Sequence, residues 1–209
     1  MTHPTRLLFA LLVLSLCSCD SGAQAIEPEQ GGSAPIANSE SDPTDPVTAD
    51  QPMTSDSFHS LSTRSLEGEE VALSRYAGKA LLVVNVASEC GLTPQYEGLQ
   101  ALHEEIGGDD FAIVAFPSND FGAQEPGSAA QIRSFCTDNY NVSFDMMEKV
   151  STKSGEVYDW LNDKTGERPS WNFSKFLVSK DGTEVQFFDP RTTPEDSDLR
   201  AAIDRLRAQ

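Results

Sequence analysis

A chain of 209 residues with 33 acidic against 15 basic side chains, a net charge of −18 and 38% hydrophobic residues is long enough for one domain and some excess. That charge excludes electrostatic capture of nucleic acid or of an anionic lipid surface, both of which draw on Lys and Arg. Four cysteines without a C-x-x-C pair and three scattered histidines (His3, His59, His103) argue against a disulfide-stapled scaffold and against a metal site, and no cofactor is expected.

At the N-terminus, Arg6 precedes a ten-residue apolar run, Leu7 to Leu16. A bilayer span needs ~20 residues, so the run reads as a secretory signal. A buried core helix is the alternative, disfavoured because polar, structureless sequence follows at once. Leu16-Cys17-Ser18-Cys19 resembles the bacterial lipoprotein signal, in which a small residue precedes the cysteine that becomes the lipidated N-terminus. Cleavage before Cys17 would place bulky Leu16 there, so Cys19 is the expected lipidation site and residues 1–18 the signal peptide. Cleavage without lipidation is the other reading. Either way the mature chain is expected outside the cytoplasm, on the periplasmic side in a Gram-negative cell and, with the lipid, anchored to a membrane.

Residues 19–54 carry five prolines and seven acids, with no aromatic, Lys or Arg. Such a stretch buries too little apolar surface to offset its ordering entropy and is expected to be a disordered, charge-extended tether. The folded domain is expected over 55–209, with 14 basic and 26 acidic side chains. Cys90 and Cys136 are then its two cysteines, in a compartment where a disulfide persists.

Within the domain, Ala80 to Ala87 is a continuous apolar run and reads as a strand buried on both faces. Pro94 to Ile106 places Tyr96, Leu99, Leu102 and Ile106 on a helical stripe, with His103 on the solvated side. Phe111 to Phe116 is a second buried strand, completing a βαβ unit. Ser128 opens a helix with Ile132, Phe135 and Cys136 turned inward. Val157 to Leu161 lies in a short helix. Strands Lys175 to Ser179 and Thr183 to Phe188 flank Asp181-Gly182, a hairpin signal, and Glu195 to Arg207 forms a last helix. This order is that of a thioredoxin-like α/β domain: a central mixed sheet flanked by helices.

Cys90 falls just past the end of the first buried strand, at a helix entrance. Ligands of open α/β sheets bind at that edge, and backbone N–H groups there favour a thiolate. An inert buried thiol is the competing reading. Thr93 stands where a dithiol reductase would carry its second cysteine, which disfavours that design.

Asn85-Val-Ala-Ser-Glu-Cys90-Gly-Leu-Thr-Pro-Gln-Tyr96 resembles the motif around the peroxidatic Cys or selenocysteine of the glutathione peroxidase family. Phe116-Pro-Ser-Asn-Asp-Phe-Gly-Ala-Gln124-Glu-Pro-Gly127 is similar to the second family motif, and Trp171-Asn172-Phe173-Ser174-Lys175-Phe176-Leu177 to the third. Together they cover roughly Phe58 to Ile203. The resemblance implies a catalytic set of Cys90, Gln124, Trp171 and Asn172. The sulfur attacks the peroxide O–O bond, and three uncharged donors stabilise the thiolate and the leaving oxygen. Taken singly, Trp171 would read as core packing and Gln124 as a turn residue.

Cys136, 46 positions after Cys90, lies in a segment resembling that of the resolving cysteine in thioredoxin-dependent, two-cysteine members. A packed helical cysteine is the other reading, and both hold if the redox states differ. A disulfide needs Cα atoms within about 7 Å, so a helical Cys136 far from Cys90 would require local unwinding. The resemblance implies reduction of hydrogen peroxide and organic or lipid hydroperoxides, with a thioredoxin-like reductant. Glutathione is less expected because no basic residues are evident near the site. A short stretch between Phe144 and Trp171 implies a monomer. The rival reading is a peroxide sensor or thiol relay. Ser118, Asp120 and Asp145 depart from common family residues.

Overall fold

The structure is a computed structural model that describes residues 56–209; the expected signal peptide, the expected lipidation site Cys19 and the expected tether lie outside them. A mixed five-stranded sheet is built from β3 (Ala80–Val86), β4 (Phe111–Pro117), β5 (Asp145–Met146), β6 (Lys175–Val178) and β7 (Val185–Phe188), in the order β5-β4-β3-β6-β7. Strands β3, β4 and β5 run parallel, while β6 opposes β3 and β7 opposes β6. A separate hairpin joins β1 (Ser62–Arg64) to β2 (Glu70–Ala72).

Every residue of β3 is buried, as expected of a strand covered on both faces. Leu82, Val84 and Val86 enter one apolar cluster with side chains from α1 (Gln95–Ile106), α2 (Ala129–Tyr140) and α4 (Ser197–Arg207). Leu81 and Val83 enter a second cluster with Val157, Tyr158 and Leu161 of α3 (Glu156–Thr165). The domain is thus thioredoxin-like, with helices on both sides of a mixed sheet.

Local chemistry sets the boundaries. Ser128 caps α2 through a reciprocal capping box with Gln131, and Asn141 ends the helix in the left-handed conformation. Gly182 makes the β6–β7 turn at φ +74°, and Thr183 donates to Asp181 rather than extending the strand, so β7 starts at Val185. Three details differ from the sequence reading. The β1–β2 hairpin and the two-residue β5 were not expected, and His103 is half-buried with its ring edge-on to Phe144 at 6.0 Å.

Candidate active site

Three chain segments meet at the C-terminal edge of β3. The first is the turn from Ala87 to Pro94. Thr93 Oγ1 accepts from Cys90 N–H at 3.0 Å and donates to the Ala87 carbonyl at 2.8 Å, tying the cysteine turn to the strand end. Successive i→i+3 bonds (Thr93 to Cys90, Gln95 to Leu92, Tyr96 to Thr93) then wind the chain into α1. Where a dithiol reductase has its second sulfur, this chain has the hydroxyl that shapes the turn. The hydrogen bond to Cys90 Sγ comes from Leu92 N–H at 3.4 Å, a backbone donor of the helix entrance.

The second segment is the loop after β4. Ser118 N–H bonds the Val86 carbonyl at 3.0 Å, Asn119 Oδ1 accepts from Glu125 N–H at 2.8 Å, and Glu89 N–H donates to the Gln124 carbonyl at 3.0 Å. Gln124 is thereby stitched to the residue preceding Cys90. Ala123 holds a positive φ of 53°, uncommon for a side chain with a Cβ. Asp120 anchors this loop to the next: its carboxylate accepts from Thr152 N–H at 2.7 Å, Ser151 Oγ at 3.0 Å and Thr152 Oγ1 at 3.1 Å.

The third segment is the Trp171–Ser174 turn before β6. Asn85 Nδ2 and Ser174 Oγ both donate to the Trp171 carbonyl at 3.0 Å, and Phe173 N–H donates to the Asn85 carbonyl at 2.6 Å. Phe173 adopts φ 69°, a strained conformation for a bulky residue.

These turns bring the expected residues together in part. Asn172 is fully buried and its Nδ2 donates to Gln124 Oε1 at 2.9 Å. Trp171 is 41% exposed, the one large hydrophobic side chain so exposed among the described residues, which removes core packing as its role. Its ring lies 5.7 Å from that of Phe121. Cys90 and Trp171 line a cavity of about 550 Å³ with Gly91, Leu92, Asp189 and Arg191. Gln124 and Asn172 bond each other, and the bonded donor at the sulfur is the backbone N–H of Leu92. Asn172 Oδ1 and Asn85 Oδ1 are buried without a partner.

Arg191 corrects the expectation that no basic residue stands near the site. It is exposed on the cavity rim, beside Asp189, whose Oδ1 accepts from its N–H at 2.9 Å. The sequence hides it because the β7–α4 connection reaches the cavity only through the tertiary fold.

Cys136 sits fully buried in α2 as a free thiol, and Cys90 is a free thiol too. Burial pushes the Cys136 thiol up to about 11; Glu125 adds to this, while a hydrogen bond with Tyr96 and the Arg133 charge oppose it. The Tyr96 ring lies 5.4 Å from both Tyr140 and Phe173, so it joins the α2 end to the turn carrying Asn172. Glu125, next to Gln124, is 1% exposed; burial raises its carboxyl, with Ser88 Oγ bonding Oε2 at 3.2 Å and Oε1 left without a partner. A sequence reading offered no signal for Glu125 beyond its place in the motif.

Residues 58–162 match the glutathione peroxidase family model. The "Glutathione peroxidase homolog BsaA" of Halalkalibacterium halodurans is 45% identical, over 66% of this chain and 92% of its own. "Hydroperoxy fatty acid reductase Gpx2" of Synechocystis is also 45% identical, over 69% of this chain and 95% of its own. Among solved structures, "Trgpx in apo form" superposes with a TM-score of 0.60 at 32% identity, covering 75% of this chain and 98% of its own.

Proposed function

The chain belongs to the glutathione peroxidase family and is a peroxidase, and from that premise we propose that Cys90 is the sulfur its substrate oxidises. The observation that carries this reading is the cavity at the edge of β3 lined by Cys90 and the exposed Trp171, together with the bond from Asn172, next to Trp171 in the chain, to Gln124, whose carbonyl holds Glu89 next to Cys90. The Cys90 thiolate attacks the terminal peroxide oxygen. The O–O bond breaks, the alkoxide or hydroxide leaves with a proton as alcohol or water, and Cys90 becomes a sulfenic acid. Leu92 N–H steadies the sulfur. Gln124, Trp171 and Asn172 serve the developing oxyanion with uncharged donors, once the substrate draws the amides from each other.

Cys136 then acts as the resolving thiol. Its sulfur displaces hydroxide from the sulfenic acid, giving a Cys90–Cys136 disulfide and water, and a thioredoxin-like dithiol restores both thiols. A thiol that is fully buried and titrates at about 11 is a poor nucleophile in the packed helix. Resolution therefore requires α2 to open locally.

The substrates in this reading are hydrogen peroxide and organic hydroperoxides, those of lipids included. The lipid class is supported by a relative named as a hydroperoxy fatty acid reductase and by the exposed indole beside Leu92 in the cavity. A protein dithiol is preferred to glutathione because Asp189 offsets Arg191 at the rim and the chain carries a net charge of −18. A monomer, held extracytoplasmically by lipid on Cys19, completes the reading. Peroxide consumption with thioredoxin or glutathione as donor tests it. Wild type turns over with thioredoxin, Cys90→Ser is inactive, and Cys136→Ser oxidises once and stalls. Sustained thioredoxin-driven turnover by Cys136→Ser rejects the two-cysteine cycle, and poor wild-type turnover with accumulated mixed disulfides favours a relay.

A further inference from the structure

Lys175 is a lysine with no exposed surface, on a central strand, and the peroxidase chemistry above does not use it. Its Nζ donates to Gln95 Oε1 and to the Phe173 carbonyl, each at 2.7 Å. Gln95, the first residue of α1, in turn donates from Nε2 to the Pro190 carbonyl at 2.7 Å. Each of the three acceptors lies on or next to a different one of the chain segments that line the Cys90 cavity. Gln95 continues the cysteine turn, Phe173 closes the turn carrying Trp171 and Asn172, and Pro190 is part of the rim with Asp189 and Arg191.

Two energetic facts make this arrangement more than packing. Phe173 is held at φ 69°, a strained conformation that persists only where neighbours over-determine it. Asn85 secures its N–H and Lys175 its carbonyl, one bond on each side of the strained residue. The amine itself is expensive: desolvation lowers Lys175 to about 7, with Asp189 and Glu195 pulling it back up. Removing the amine alone would leave Gln95 Oε1 and the Phe173 carbonyl buried without this donor, so its desolvation is met by the two bonds it makes.

We propose that Lys175 is a positioning residue for peroxide reduction, one buried amine that locks the Cys90 helix entrance, the Trp171–Asn172 turn and, through Gln95, the Pro190 rim in register. This rests on the reading of Cys90 as the reacting sulfur. Misplacing a reacting group by ~1 Å costs on the order of 100-fold in rate, so a clamp outside the cavity has leverage on the chemistry.

The test is single-turnover oxidation of Cys90 by hydrogen peroxide, expressed per folded molecule, in wild type, Lys175→Met, Gln95→Leu and the double variant of the full chain, with thermal unfolding alongside. Lys175→Met is expected to slow the oxidation of the folded molecules by about 10–100-fold, and its melting midpoint falls because two buried acceptors lose their donor. Gln95→Leu is expected to slow it by about 3–10-fold, and the double variant to be no slower than Lys175→Met, because both remove one linkage. The KM for the reductant stays unchanged. Folded Lys175→Met oxidising within about twofold of wild type overturns the proposal, as do single effects that multiply in the double variant. If Lys175→Met does not fold, Gln95→Leu decides alone, and its oxidation at the wild-type rate overturns the proposal. Wild-type Cys90 inert to peroxide overturns the underlying reading instead.

Discussion

Asn172 Nδ2 donates to Gln124 Oε1 at 2.9 Å, closing a side-chain bridge between residues 48 positions apart. The bridge joins the loop after β4 to the turn before β6, both anchored at the end of β3. It leaves Asn172 Oδ1 buried without a partner, a deficit worth about 1–3 kcal/mol and the kind of group that native folds seldom retain away from functional sites.

Truncating either amide is therefore expected to affect rate more than stability. Asn172→Ala and Gln124→Ala each slow Cys90 oxidation by about 10²–10³-fold, the size seen when one oxyanion donor is removed, while folding stability falls by about 1–3 kcal/mol. Stopped-flow oxidation and denaturant unfolding of the same samples check this. A wild-type oxidation rate in Asn172→Ala would remove the pair from the mechanism.

The two thiols are expected to differ sharply in alkylation. Cys136 is fully buried and titrates at about 11, so its thiolate fraction at pH 8 is about 0.1% before access is considered. Iodoacetamide should modify Cys90 first and Cys136 at least about 100-fold more slowly, with mass spectrometry assigning the sites. Denaturant should abolish the difference. Amide exchange reads the same helix: α2 is expected to open more readily than β3 and β4, and finding it among the best-protected elements would contradict a resolving role for Cys136.

Lys175 predicts an unusual pH dependence of stability. Folding lowers it from 10.5 to about 7, so above pH 7 the unfolded chain holds a proton that the folded chain has lost. Stability from this group therefore rises with pH between about 7 and 10.5. Cys136 acts oppositely, since its folded thiol keeps a proton between 9.0 and about 11 that the unfolded chain gives up. Between pH 7 and 9 Lys175 acts without that opposition. Wild type should gain stability across that window relative to Lys175→Met, measured by chemical denaturation at each pH; parallel curves would contradict it.

Asp120 stands in the loop after β4, and its carboxylate holds Ser151 and Thr152. Burial works to raise its carboxyl, but the Thr152 N–H and the two hydroxyls outweigh it and hold it below the ordinary value of 3.8. Its contribution is thus present above pH 3.8 and lost as pH falls through the folded value. Asp120→Ala should cost on the order of 1 kcal/mol at pH 7, given its partial exposure, and progressively less in acid. Urea midpoints at pH 7 and pH 3 check the sign.

Much of the fold is legible in the chain because β3 and β4 are continuous apolar runs, which only strands covered on both faces require. The short hairpin is not, since Ser62–Arg64 and Glu70–Ala72 are mostly exposed triplets too short to show a usable period. Nor is β5, two residues that become a strand only by pairing with Val114 and Ala115. At the site, the motifs mark Cys90, Gln124, Trp171 and Asn172, but their mutual bonding depends on how three loops close. Lys175 carries a signal that local reading passes over: a lysine inside an otherwise apolar strand, Lys175–Val178, has to have its charge met somewhere. Arg191 and Asp189 carry none, because their connection reaches the cavity only in three dimensions.

The central claim is that peroxide oxidises the sulfur of Cys90. Cys136→Ser protein treated with one equivalent of hydrogen peroxide, trapped with a sulfenic-acid reagent and mapped by mass spectrometry, tests this most directly. Near-stoichiometric labelling at Cys90, absent from Cys90→Ser, is the expected result. Peroxide left unconsumed, or label on another residue while Cys90 stays a free thiol, would contradict it.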